Sequence, residues 1–306
     1  GVVGIGIGLS GMIVVMGAVG QVAPPERRST AFGVITVAFS IGMFIMAPVL
    51  QYLINLYGWS EALQFSGGLV LIISLLSLGL PGHSPKIEKS SEPEAESELT
   101  LLKTINGAMS HSGYLLLNVG FFVCGFHVAF IGTHLPSFLQ SEGISISTAS
   151  WALAMIGLFN MFGSMIFGRM GDSLSKKNLL SLLYTLRAVV IAGFLAIPLN
   201  EITAIAFGAA IGFLWLATVP LTSGIVAQVF GTRYLSTLWA IVFFSHQLGA
   251  FLGVWLGGRV YDATGTYTPV WLASIALGLL AGIIHLPIRE NPWAPSALRI
   301  QPSSSN

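Results

Sequence analysis

Charge is scarce in this sequence. Of 306 residues, 13 are Lys or Arg and 12 Asp or Glu, 8% in all, against about 25% in ordinary soluble domains. That shortage argues against a soluble globular body and excludes nucleic-acid binding, which needs a broad basic surface. Cysteine is nearly missing too. The lone Cys124 forbids an internal disulfide, and together with six scattered His it lacks the paired spacing of a metal cluster, so no cofactor or metal is expected. Acidic residues are missing where a membrane pump would want them, because all 12 fall in loops or at the ends of apolar runs. The chain also lacks a starting Met and a charged leader region, opening at Gly1 inside an apolar Gly-rich run. This reads as a piece whose N-terminus lies upstream.

What is plentiful is apolar length. Hydrophobic residues make up 54% of the chain and Gly 36 of its residues, and about 20 apolar residues suffice to cross a bilayer. That window predicts nine transmembrane helices, over residues 1–22, 30–55, 63–80, 114–139, 149–170, 179–199, 203–229, 237–260 and 269–287. The fold class is therefore all-α, a polytopic membrane helical bundle. Short polar connections such as Ala23-Pro24-Pro25-Glu26 and Tyr57-Gly58-Trp59 predict that consecutive helices are antiparallel neighbours.

Lys and Arg near span ends are retained on the cytoplasmic side. Alternate loops hold Arg27 and Arg28; Lys86, Lys89 and Lys103; Arg169, Lys176 and Lys177; Arg233; and Arg289 with Arg299, which is 11 of the 13 cations. The opposite loops hold only Arg259, and Arg187 lies within a span. This bias predicts a cytoplasmic C-terminus and an integral protein of the plasma (bacterial inner) membrane. Residues 81–110 form the one long polar stretch and carry eight of the 25 charges, reading as a cytoplasmic linker with an interfacial helix near residues 99–105. It divides the chain into residues 1–80, the remnant of an N-terminal lobe, and residues 111–290, a six-helix lobe, followed by a tail over residues 291–306.

A short repeat fits that division. The fifth span ends Gly168-Arg169-Met170-Gly171-Asp172 and the eighth ends Gly258-Arg259-Val260-Tyr261-Asp262, one pattern on opposite faces, as inverted three-helix repeats predict. The first copy continues to Lys176 and Lys177. In full, GRMGDSLSKK over residues 168–177 resembles the loop signature Gly-x-x-x-Asp-Arg-x-Gly-Arg-Arg of the major facilitator superfamily. Gly168, Asp172, Lys176 and Lys177 fit the signature, and Ser173 and Ser175 depart from it. In the second span, Arg27-Arg28, Gly33, Gly42, Ala47-Pro48, Gln51 and Gly58-Trp59 are spaced as in the fifth helix of the monocarboxylate-transporter group, which also holds the oxalate–formate exchangers.

The resemblance implies helices four to twelve of a twelve-helix, two-lobe carrier of small organic anions, with Gly168, Arg169, Asp172, Lys176, Lys177, Arg259 and Asp262 as gate or structural residues. It also exposes a departure. Where animal monocarboxylate transporters place an Asp and an Arg four residues apart in helix eight, this sequence has Asn160 and Ser164, so substrate and coupling do not transfer with the likeness.

Polar groups at mid-span are the default functional candidates, because burying them in lipid is costly. His246 with Gln247, His127, Asn160 and Trp215 fall near the middle of four spans and are the candidate solute-binding residues, with Arg187 beside them. A His can bind a carboxylate and exchange a proton near neutral pH. Arg187 could hold an anion or bond to the backbone of an adjacent helix. The predicted partners are a small solute, a co-transported proton and the lipid bilayer. Two competing functions share the sequence: a solute sensor that does not transport, and an intramembrane serine protease built on Gly8-Leu9-Ser10-Gly11.

Overall fold

The computed structural model describes residues 12–77 and 101–293, and among these it contains helices and no strand. The elements are α1 (Met12–Val22), α2 (Arg28–Tyr57, entered through a 3-10 turn at Pro25–Arg27), α3 (Trp59–Ser77), α4 (Leu101–Met109), α5 (Ser112–Ser141), α6 (Ile146–Ser173), α7 (Lys176–Ala196), α8 (Glu201–Leu214), α9 (Thr218–Phe230), α10 (Leu235–Thr264) and α11 (Thr268–His285). Seven stretches among the described residues are long and apolar enough to cross a membrane: Pro25–Tyr57, Ser112–Ser141, Ile146–Ser173, Lys176–Ala196, Glu201–Phe230, Leu235–Thr264 and Thr268–His285. The first and third predicted spans run partly outside the described residues. So do most of the linker, the tail beyond residue 293, and the protease-like motif around Ser10.

Helix ends follow from local chemistry. His111 caps α5 by accepting from the Tyr114 amide, Ser145 caps α6 through the Thr148 amide, and Asn200 with Thr203 forms a reciprocal capping box at α8. Gly265, at φ 70°, closes α10 in the left-handed conformation that a side chain disfavours. The short α4 falls at the end of the polar stretch over residues 81–110, burying Thr104 and Ala108 while leaving Leu101, Leu102 and Met109 exposed.

Consecutive helices touch, as expected, but share less surface than helices farther apart in the chain: α2 lies along α6, α5 along α10, α6 along α8 and α7 along α11, whereas α6 barely meets α7 and α10 barely meets α11. Lipid is as apolar as a leucine face, so association goes to helices whose backbones can approach closely. Small residues supply that approach. A Cβ on Gly33 would come 2.7 Å from the Ser164 carbonyl oxygen and one on Gly157 2.6 Å from the Phe44 nitrogen, along the α2–α6 seam. Gly125 sits against the His246 carbonyl, Gly249 against that of Phe122 and Gly253 against that of Phe126, so α5 and α10 meet backbone to backbone.

Residues 203–229 fall within one stretch long and apolar enough to span, as expected, but not within one continuous helix. The helix breaks after Leu214 and restarts at Thr218. Pro220 is the cause in the chain, since it has no N–H to give the Leu216 carbonyl and its ring crowds that oxygen. The Leu216 carbonyl instead accepts from the Val219 amide at 2.9 Å.

Candidate functional site

The break between α8 and α9 lies halfway along its 30-residue stretch, at the depth of the polar mid-span residues, and it exposes carbonyls and an amide that apolar surroundings leave without partners. Two buried side chains satisfy them. Asn160, from the middle of α6, accepts from the Leu216 amide at 2.8 Å through Oδ1, which also takes the Ser164 hydroxyl at 3.1 Å. Its Nδ2 donates to Ser40 Oγ of α2 at 2.7 Å. Asn160 thus ties three helices together and is wholly buried.

Arg187, 1% exposed, approaches from α7. Nε and Nη2 donate to the Leu214 carbonyl at 3.0 and 2.7 Å, Nη2 also donates to the Trp215 carbonyl, and Nη1 reaches Cys124 Sγ at 3.4 Å. A guanidinium at the C-terminal end of α8 meets the negative end of that helix dipole. Trp215, 2% exposed, occupies the break itself. Cys124 Sγ lies 3.3 Å from Thr218 Oγ1 and beside His246, so α5, α7, α9 and α10 converge on one polar knot.

The two mid-span histidines differ. His127 on α5 donates Nε2–H to the Ser274 carbonyl of α11 at 2.8 Å, and its buried Nδ1 has no protein partner. His246 on α10 stacks on Phe243, with ring centroids 5.1 Å apart and 9° between planes, and leans on Phe121. Its Nδ1 meets Gln247 Oε1 at 3.2 Å, while the buried Nε2, on a ring beside Cys124, makes no hydrogen bond of good geometry among the described residues. Gln247 is exposed. The structure therefore gathers Asn160, Arg187 and Trp215 at the helix break with His246 nearby. It leaves Gln247 at the surface and commits His127 to α11.

At the cation-rich end of the bundle, Asp172 closes the α2–α6 seam. Its carboxylate accepts the Ser29 amide at 2.9 Å, the Thr30 amide at 3.2 Å and the Thr30 hydroxyl at 2.5 Å. This caps α2, whose own N-cap residue Arg27 supplies no side-chain cap. Gly168 packs against the Ser29 carbonyl and Gly33. Lys176 donates to Gln228 Oε1 at 2.7 Å, and Lys177 donates its amide to Glu290 Oε1 at 2.7 Å and Nζ to the Leu286 carbonyl at 2.8 Å. Arg169 is exposed, as are Arg259 and Asp262 at the far end of α10.

Ser40, Thr218, Gln228 and Glu290 also take part, though the sequence pattern does not mark Thr218, Gln228 or Glu290. Ser40 had a signal: Ser29, Gly33, Thr36 and Ser40 form a small, polar stripe at helical spacing on an otherwise apolar helix, and all four are buried.

The profile of the Major Facilitator Superfamily matches this sequence over residues 1–218 and again over 117–301. The chain belongs to the major facilitator superfamily. Among curated proteins it is similar to monocarboxylate transporter 12 of Mus musculus, 26% identical over 295 residues, covering 85% of this chain and 60% of that protein. It is also similar to monocarboxylate transporter 13 of Rattus norvegicus, 28% identical over 274 residues with 86% and 60% covered. The uncharacterized MFS-type transporter YcxA of Bacillus subtilis is 25% identical over 271 residues, with 85% and 64% covered. The chain thus spans about 60% of the length of the monocarboxylate transporters it matches. Membership and the seven apolar spans make it an integral membrane protein.

Proposed function

We propose that the protein containing this chain is a secondary transporter that moves a small organic anion, of monocarboxylate type, by rocking two helix groups about a mid-depth site. The observation that carries this reading is the latch at Asp172: one carboxylate of α6 holds the N-terminus of α2, on the other side of the linker, through three hydrogen bonds. Such a contact is strong enough to favour one state and small enough to break in each cycle. Residues 12–77 belong to the first lobe and residues 111–290 to the second, with the cation-rich end and the C-terminus in the cytoplasm of a plasma membrane. Gly168 and Gly33 let the seam close, and Lys176 and Lys177 flank it.

The solute site is placed at mid-depth, where alternating access needs it and where His246 lies beside the braced helix break. Asn160 and Arg187 hold that break in shape. His246 and Gln247 are assigned to the solute, with His246 Nε2 as the group that meets a carboxylate and exchanges a proton. Trp215 walls the site, and His127 positions α5 against α11.

The test is uptake of radiolabelled monocarboxylates by cells making the full-length protein, comparing native with His246→Gln. Native protein should accumulate solute along an inward proton gradient, and the variant should keep exchange but lose gradient-driven accumulation. Uptake equal to that of control cells across the panel overturns the transport reading. Measured binding without counterflow would identify a sensor.

A further inference from the structure

A cavity of about 340 Å³ opens beside the Asp172 latch, between the start of α2 and the near ends of α7 and α9. Its polar wall holds the donors Arg28, Ser29 and Lys176 together with Gln228 and the Asp172 carboxylate. Arg28 makes a long bond from Nη2 to the Ala23 carbonyl, 3.4 Å, with Glu26 as a charged neighbour, and its buried Nε has no hydrogen-bond partner among the described residues. Ser29, 1% exposed, has a hydroxyl with no hydrogen-bond partner among the described residues. Lys176 is bonded to the neutral Gln228 amide. The carboxylates close by are engaged elsewhere: both oxygens of Asp172 face the α2 terminus, and Glu290 accepts the Lys177 amide. Arg28 and Lys176, the latter within reach of the Glu290 and Asp172 charges as well as that of Arg28, together with a buried unused hydroxyl, therefore border one water-accessible space.

We propose that this cavity is a second binding site, for a small oxyanion carried on a carboxylate or phosphate group, held by Arg28, Ser29 and Lys176. The guanidinium and ammonium give charge-assisted hydrogen bonds and the hydroxyl a third donor. The volume falls within the range of small-molecule sites and admits more than a bare ion. Gly224 keeps the space open: a Cβ there would stand 2.8 Å from Ser29 Oγ and 3.1 Å from Lys176 Cε. Arg28 lies on α2 and Lys176 on α7, so an anion bridging them binds best when the two ends are together. By linkage, an anion that prefers the closed arrangement stabilises it to the same extent. The site acts as a cytoplasmic clamp that slows opening toward that side. The binding step stands without the transport reading, and the clamp rests on it.

The test is isothermal titration of orthophosphate into the full-length protein in phosphatidylcholine nanodiscs, with sodium chloride at matched ionic strength as reference. Native protein should show saturable 1:1 binding, weakened about tenfold or more in Arg28→Gln and in Lys176→Gln, each of which loses a charge-assisted bond. Gly224→Val fills the cavity without changing charge and should weaken binding as much. Absence of saturable binding, or one affinity shared by native and all three variants, overturns the proposal. Repeating the titration in discs containing phosphatidylglycerol separates the sources. Competition there assigns the site to a lipid headgroup, and unchanged affinity assigns it to a soluble anion. Specific phosphate binding in a protein that fails the uptake assay would retain the site and discard the transport reading.

Discussion

Removing the carboxylate at Asp172 should open the cation-rich end of the bundle, by an amount that the geometry allows to be estimated. The side chain is the N-cap of α2 supplied from another helix, and its three bonds have no substitute from Arg27. Loss of an N-cap costs about 0.5–2 kcal/mol, and loss of a negative charge at a helix N-terminus adds about 0.3–1 kcal/mol. Taking about 2 kcal/mol for Asp172→Ala, the closed-to-open ratio falls roughly 30-fold. A native ratio near 100 to 1 would then become about 3 to 1, a population visible by spectroscopy. Asp172→Asn keeps one acceptor oxygen and loses the charge, so about 1 kcal/mol and a roughly fivefold change are expected. Spin labels on cysteines introduced at the exposed Arg27 and Ser173 report the separation by pulsed dipolar spectroscopy, and the buried Cys124 leaves a low labelling background. A long-distance population should grow in the order native, Asn, Ala. Identical distance distributions in all three proteins would refute the latch.

Arg187→Met should lower thermal stability by about 3 kcal/mol or more, because it strands the Leu214 and Trp215 carbonyls in the core. Arg187→Lys should recover only part, since one ammonium cannot reproduce the planar fork. Maleimide labelling of Cys124 during heating measures both, as the thiol is buried until the bundle unfolds, and native-like melting of Arg187→Met would contradict the bracing role. Asn160→Ala should cost about 1–3 kcal/mol by leaving the Leu216 amide without its acceptor, read in the same assay. Gly125→Val should prevent α5 and α10 from meeting, at about 1–3 kcal/mol or more. A monodisperse gel-filtration peak and unchanged melting for this variant would show that the crossing tolerates a side chain.

Much of the architecture could be read before any coordinates, because hydrocarbon thickness turns composition into helices. The sequence by itself determined an all-α membrane bundle, the clustering of Arg27, Arg28, Asp172, Lys176 and Lys177 at the ends of predicted spans, and the mid-span depth of Asn160, Arg187 and His246. Each of these depends on position along one helix, which a 1.5 Å rise per residue makes legible. Partners across helices were not legible in this way. Only the tertiary structure decided that α2 lies against α6 rather than mainly against its chain neighbours, and that Arg187 and Asn160 serve the backbone opened by the break near Pro220. The reason is physical. In a bilayer, apolar faces do not distinguish one neighbour from another, so pairing is settled by which backbones can approach and which buried polar groups can satisfy each other. Those properties belong to pairs of helices, and no single segment of sequence contains them.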